Sequence, residues 1–273
     1  MTSALTYDGF VSTTADELWD RLHQAQRRFA ALLSVTPAQT PVPGSDWNAG
    51  QVAAHVLTVL RRYTERDLTS TVGLSRDGAG VAVQNAAELA ALEATTTPEV
   101  LDQIWQQLAA VEEKLPRTMD LYQQFPFHGG QTMDGAAALG NLIGEFLVHG
   151  RDVATAGGRK WKIGGRNAAL ALTIAVQTAP AYVAPDAPGD LKLAIRTPET
   201  TPWVLDLSDG ELTSRPARRR EPVDVRVLAR PEPLLLNLYG RIGIPQATLL
   251  GTAVVGGRRP WLVSRLGASF LTP

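Results

Sequence analysis

Gln131-Thr-Met-Asp-Gly-Ala-Ala-Ala-Leu-Gly-Asn-Leu-Ile-Gly-Glu-Phe-Leu-Val-His-Gly-Arg-Asp-Val-Ala-Thr-Ala-Gly157 decides how the chain is read. Leu139, Leu142, Ile143, Phe146, Leu147, Val148 and Val153 recur at helical spacing, with Thr132 and Asp134 as polar starts and Gly157-Gly158 as a stop. The pattern predicts a buried helix. Asn141, Glu145, His149 and Asp152 cross it at spacings of four, four and three, which put four polar side chains on one face. A lone carboxylate costs several kcal/mol to bury, so Glu145 must be paired, protonated or bound to a cation. Glu-x-x-x-His is half of a metal site, and chance also places that pair on many helices, so a third residue has to decide.

The candidate for the third residue lies upstream. Asp46-Trp47-Asn48-Ala49-Gly50-Gln51 opens a helix with Asn48 as N-cap, Gln51 in capping-box position and Trp47 placed to staple onto Val52. Val52, Val56, Val59, Leu60 and Tyr63 form its buried stripe, and His55 falls inside it. An imidazole there is either satisfied by a core hydrogen bond or bound to a metal. A helix over 14–33 and a clearer one over 98–115 complete the expected four, and an alanine-rich helix is expected from Val81 to Ala94. Four long helices suit an antiparallel bundle whose inner faces hold a metal. His55, Glu145 and His149 then converge as two imidazoles and one carboxylate, a set typical of catalytic zinc with positions open to water or substrate. His23 is expected at a rim, and His128, between Phe127 and Gly129-Gly130, in a solvated loop.

Downstream the pattern changes. A helix is expected over 167–183, after which Leu191 to Arg196, Trp203 to Leu207 and Val223 to Leu228 alternate, with Asp209-Gly210 as a hairpin turn. Gly251 to Val255 reads as an edge strand, and 233–239 and 260–266 read as short helices. The expectation is a mostly antiparallel sheet in a small α+β domain. The fold class is therefore multidomain: an all-α four-helix bundle over 1–160 and the α+β domain over 161–273, dividing between about Gly157 and Arg166.

Composition narrows the function. With 273 residues, 44% hydrophobic and 19% charged, the chain is globular, and its net charge of −1 gives no reason to expect nucleic acid. Arg218-Arg219-Arg220 lacks neighbouring aromatics and reads as a solvated loop. There is no cysteine, so no thiolate ligates a metal and any thiol chemistry needs a thiol from outside. Met1 to Phe10 does not read as a leader, no apolar run reaches the length of a membrane span, and the expected location is cytoplasmic. No phosphate-cradling glycine loop and no Gly-x-Ser-x-Gly elbow occurs.

Two segments carry a family resemblance. Trp47-Asn-Ala-Gly-Gln-Val-Ala-Ala-His55-Val-Leu57 resembles the Trp-Thr-x-x-x-Val-x-x-His-Leu signature of the DinB-like metalloproteins. Glu145-Phe-Leu-Val-His149-Gly-Arg-Asp-Val-Ala154 resembles the Glu-x-x-x-His-Gly-Trp-Asp-Leu-Ala signature of the mycothiol-dependent maleylpyruvate isomerase family, with Arg151 in the place of tryptophan. The second half is similar in pattern to the sterol-carrier-like domain which that family often appends. The resemblance implies a divalent metal, most simply Zn2+, on His55, Glu145 and His149, a low-molecular-weight thiol such as mycothiol as co-substrate, and a small electrophilic substrate. The reaction it implies is isomerisation, in which the thiolate adds to a cis alkene, the bond rotates and elimination follows, or S-transfer, in which the adduct is released. Asp152 is expected to orient a metal ligand or to bridge to an arginine of the second half, and Arg241 is the candidate arginine facing the site. Metal-assisted hydrolysis and a non-catalytic ligand-binding role are the alternatives.

Overall fold

The computed structural model describes residues 6–92, 97–187, 189–265 and 269–271. Met1 to Leu5, Glu93 and Ala94 at the end of the expected third helix, and Leu266 lie outside the described residues. After a two-strand ribbon (β1, Tyr7–Asp8; β2, Ser12–Thr13) come five helices: α1 (Ala15–Leu33), α2 (Ala49–Thr64), α3 (Gly78–Ala90), α4 (Thr97–Lys114) and α5 (Gly135–Ala156). α2 starts where its capping signal stands, with Asn48 Oδ1 accepting from Gln51 N–H and Gln51 Oε1 from Asn48 N–H. Trp19, Phe29, Leu57, Leu60, Ile104, Leu108, Leu139 and Phe146 are fully buried, and α5 packs against both α1 and α2 while α4 covers the far side of α2.

The connection between α4 and α5 is not plain loop. Gln124–Pro126 (β3) and Thr132–Asp134 (β4) pair antiparallel, joined by a single 3-10 turn at His128–Gly130. Three-residue strands are too short to show alternation, so periodicity could not reveal them.

The second half opens with α6 (Gly165–Thr178), which passes into a 3-10 turn, Ala179–Tyr182, where Pro180 removes a backbone donor. The expected helix over 167–183 is thereby cut short. A five-stranded sheet follows, in the order β7-β6-β5-β8-β9, from Leu191–Arg196 (β5), Trp203–Ser208 (β6), Glu211–Pro216 (β7), Val225–Leu228 (β8) and Ala253–Gly256 (β9). All pairings are antiparallel except β5 with β8. The β6–β7 hairpin turns on Asp209 and Gly210, both at positive φ. Two helices, α7 (Pro231–Leu238) and α8 (Ile244–Leu249), connect β8 to β9, the second of them too short to announce itself in the sequence.

α6 joins the halves, packing on α5 in front and on α7 and β7 behind. The approach to α5 is close because small residues face it: a Cβ on Gly140 would lie 2.5 Å from the Leu170 carbonyl oxygen. An ion pair adds to the joint, with Arg166 Nε 2.8 Å from Glu17 Oε1 of α1. The Arg166 hydrogen bond holds the Glu17 carboxyl below its ordinary value against partial burial.

Two outcomes follow from this joint. Gly140→Ala must push backbone from backbone and is expected to cost about 1–3 kcal/mol in denaturant unfolding. A depressed carboxyl contributes stability above its unfolded value and loses it as pH falls through the folded one, so Glu17→Gln should flatten the acid limb of stability against pH. The change should stay within about 1 kcal/mol, since the pair is partly exposed.

Candidate metal centre

His55 enters from the middle of α2, and Glu145 and His149 from successive turns of α5. The structure brings one ligand atom of each within 4.8 Å of the others. His149 Nε2 lies 3.3 Å and His55 Nε2 3.5 Å from the same oxygen, Glu145 Oε2. A tetrahedral cation about 2.0–2.1 Å from each ligand sets neighbouring ligands about 3.3–3.4 Å apart, so these separations suit a shared ion. They do not suit hydrogen bonds: Glu145 Oε2 is buried without a hydrogen-bond partner, as is His55 Nδ1. A buried carboxylate oxygen set between two imidazole nitrogens, without a well-formed hydrogen bond to either, is what a cation would satisfy.

The surroundings fix the ligands unequally. His149 Nδ1 lies 3.0 Å from Asp152 Oδ2, so Nδ1 donates to that carboxylate and Nε2 is the atom turned towards Glu145. Arg241, just beyond α7, clamps the same carboxylate from the other half, Nη2 to Oδ2 at 2.7 Å and Nε to Oδ1 at 3.1 Å, and donates from Nη1 to the Tyr239 carbonyl. Asp152 thus touches both His149 and an arginine of the second half. His55 has no such partner on Nδ1. Its ring is held instead by Trp47, with centroids 5.0 Å apart.

Charge follows geometry. Burial pushes the His55 imidazole below its ordinary value against the pull of Glu145. Burial acts likewise on His149, but the Asp152 hydrogen bond and Glu145 overcome it and lift the imidazole to about 9. Burial would raise both carboxyls, yet the two imidazoles hold Glu145 well below the carboxylate range, and His149 with Arg241 holds Asp152 at about 2. Two carboxylates so flank one imidazole, a field that favours positive charge.

The cluster opens on a cavity of about 580 Å³ between the helices and the sheet. Its wall is largely apolar, with Val59, Phe125, Ile174, Ile195 and Leu205 among the lining. His128 belongs to this wall: it is buried, not solvated, because Gly129 and Gly130 at positive φ turn the chain back and Ser75 N–H donates to its Nδ1 at 2.9 Å. Tyr63, expected in the buried stripe of α2, also faces this cavity, and Tyr182 and Tyr239 join it from segments whose sequence gives no sign of a shared wall. Asn141 lines the same cavity and donates to the Tyr63 hydroxyl at 3.2 Å. His23 meets Glu112 of α4 at 3.1 Å, outside the site.

Zinc added to metal-free protein is expected to raise the melting temperature, as any ligand of the folded state does. Glu145→Gln and His55→Ala should abolish the rise. Asp152→Asn should weaken zinc binding about 10–100-fold in competition with a chromogenic chelator. An unchanged affinity in Asp152→Asn would leave that carboxylate with the Arg241 bridge alone.

No family model matches the sequence, and no curated protein matches it. Solved structures do. The mycothiol-dependent maleylpyruvate isomerase superposes with a TM-score of 0.53 at 14% identity, over 90% of this chain and 94% of that one. A histidine-to-alanine mutant of the same enzyme gives 0.54 at 14% identity over the same shares. The likeness is one of fold, extending over helices and sheet alike, and the arrangement of a helical part followed by a sheet-containing part is common to both.

Proposed function

We propose that this protein is a metal-dependent enzyme that uses a low-molecular-weight thiol, of the mycothiol type, to isomerise a small electrophile or to transfer the thiol onto it. The observation that carries the reading is the His55–Glu145–His149 cluster at the wall of a closed-in cavity, and the shared fold with an isomerase of that dependence supports it. On this reading 1–160 is a DinB-like metal-binding domain and 161–273 a sterol-carrier-like domain, dividing near residue 160.

A divalent cation held there would supply a Lewis acid that brings the pKa of a bound thiol towards neutrality. The chain's own residues supply the rest. Three ligands, one short of the four that structural zinc takes, leave an open side, which faces the cavity. Asp152 fixes the His149 tautomer, and Arg241 fixes Asp152. Tyr239 and Tyr182 present phenols whose pKa burial raises, in Tyr182 to about 12, so both stay protonated and able to donate beside Glu145. The apolar wall keeps bulk water from the thiol. Among the described residues no helix is long and apolar enough to cross a membrane, and the partners proposed are the thiol and the small substrate.

The test is turnover of maleylpyruvate and related cis-configured conjugated acids by zinc-loaded protein, with and without mycothiol. Loss of the cis substrate is expected only with both metal and thiol, and Glu145→Gln should lower it at least about 100-fold. Turnover that proceeds undiminished without thiol, with water incorporated into product, would overturn this reading in favour of hydrolysis.

A further inference from the structure

Three arginines line the cavity, and they differ in what they hold. Arg241 is engaged by Asp152, and Arg62 by Glu88, with Nη2 2.6 Å from Oε2. Arg66 meets no carboxylate among the described residues. Its Nε donates to the Val72 carbonyl at 3.0 Å and its Nη2 to the Ser70 carbonyl at 2.9 Å. The neighbouring Asp67 carboxylate is felt by Arg66 but is bound by Thr69, so this guanidinium, partly withdrawn from water, has carbonyl dipoles and no carboxylate in contact with it.

The loop that holds Arg66 also holds His128. Ser75 N–H donates to His128 Nδ1, and Gly129 N–H donates back to the Ser75 carbonyl at 3.0 Å. Because Nδ1 accepts, the proton of the neutral ring sits on Nε2. Burial, with Arg62 and Arg66 nearby, pushes the imidazole down to about 4, so at neutral pH it is an uncharged donor. Segment 70–75 therefore sets an unpaired cation and an N–H donor on the same wall. That wall is distant from the metal cluster: Arg66 follows His55 by eleven residues along α2 and its C-cap, a rise of about 15 Å. Val59 lies between them on α2, facing the apolar side chains of α6 and the sheet across the cavity.

We infer that the cavity takes an elongated amphipathic carboxylate, its carboxylate bound by the Arg66 guanidinium and His128 Nε2–H, its apolar body against Val59 and the sheet, and its reactive end at the metal cluster. The last element rests on the proposed function; the carboxylate subsite does not.

The probes are 6-phenylhexanoate and its primary amide, titrated calorimetrically into zinc-loaded and metal-stripped protein. The acid is expected to bind about tenfold or more tighter than the amide in both forms, since charge-assisted hydrogen bonds to an arginine are lost in the amide. Arg66→Gln and His128→Leu should each reduce that preference while leaving zinc affinity unchanged, and Arg66→Lys should retain part of it. Equal affinity for acid and amide in metal-stripped wild-type protein overturns the subsite, whatever the variants do. A preference that vanishes with the metal and survives in Arg66→Gln overturns it too, because the carboxylate is then a ligand of zinc. An acid preference that stands while thiol-dependent turnover is absent upholds the subsite and removes the proposed reaction.

Discussion

A carboxylate buried between two imidazoles constrains everything around it. Glu145 sits in α5, the longest helix among the described residues, beside the fully buried Leu142, Ile143 and Phe146. Placing an ionised group there is tolerable only if positive charge is delivered at fixed positions, and two helices must be held in register to deliver it. The α2 N-terminus is accordingly pinned by a complete capping box and by Trp47, whose ring packs at a tilt against that of His55. α5 is pinned from three sides, by α1, α2 and α6. Gly140 lets α6 approach α5 closely, backbone against backbone.

Legibility in the sequence followed the length and amphipathicity of each element. α1, α2, α4 and α5 carry long stripes, and the alternating strands β5, β6 and β8 carry the period of two, so both halves could be read before any coordinates. The three residues of the cluster were legible because helical spacing and burial together leave few chemical options for Glu145. What escaped was set by tertiary contact. β3 and β4 are three residues each and gain their pairing only from the turn at His128–Gly130. His128 itself was misread as solvated because its environment comes from Ser75, over fifty residues away, and no local pattern records that. α8 and the 3-10 turns likewise owe their form to packing and to prolines at their starts.

Asp152 ties the His55–Glu145–His149 cluster to the second half of the chain. Its carboxylate accepts from His149 on one side and from Arg241, 89 positions downstream of it, on the other, so the ring that faces Glu145 is oriented partly by the second half. Removing Arg241 would leave Asp152 held by a single imidazole and would free the ring to turn with it. The sheet-containing half is thereby more than a cover: it helps to fix the geometry of a cluster whose three members all belong to the helical half.

That division of labour also explains where the cavity lies. Setting α7 and the sheet against α2 and α5 creates a space bounded by helices on one side and by Ile195, Leu205 and Leu238 on the other. Apolar walls strengthen every electrostatic interaction at the cluster by excluding the solvent that would screen it. The same exclusion raises the cost of any unpaired charge in the wall, which is why two of its arginines are matched to carboxylates of the protein and the third, Arg66, stands out.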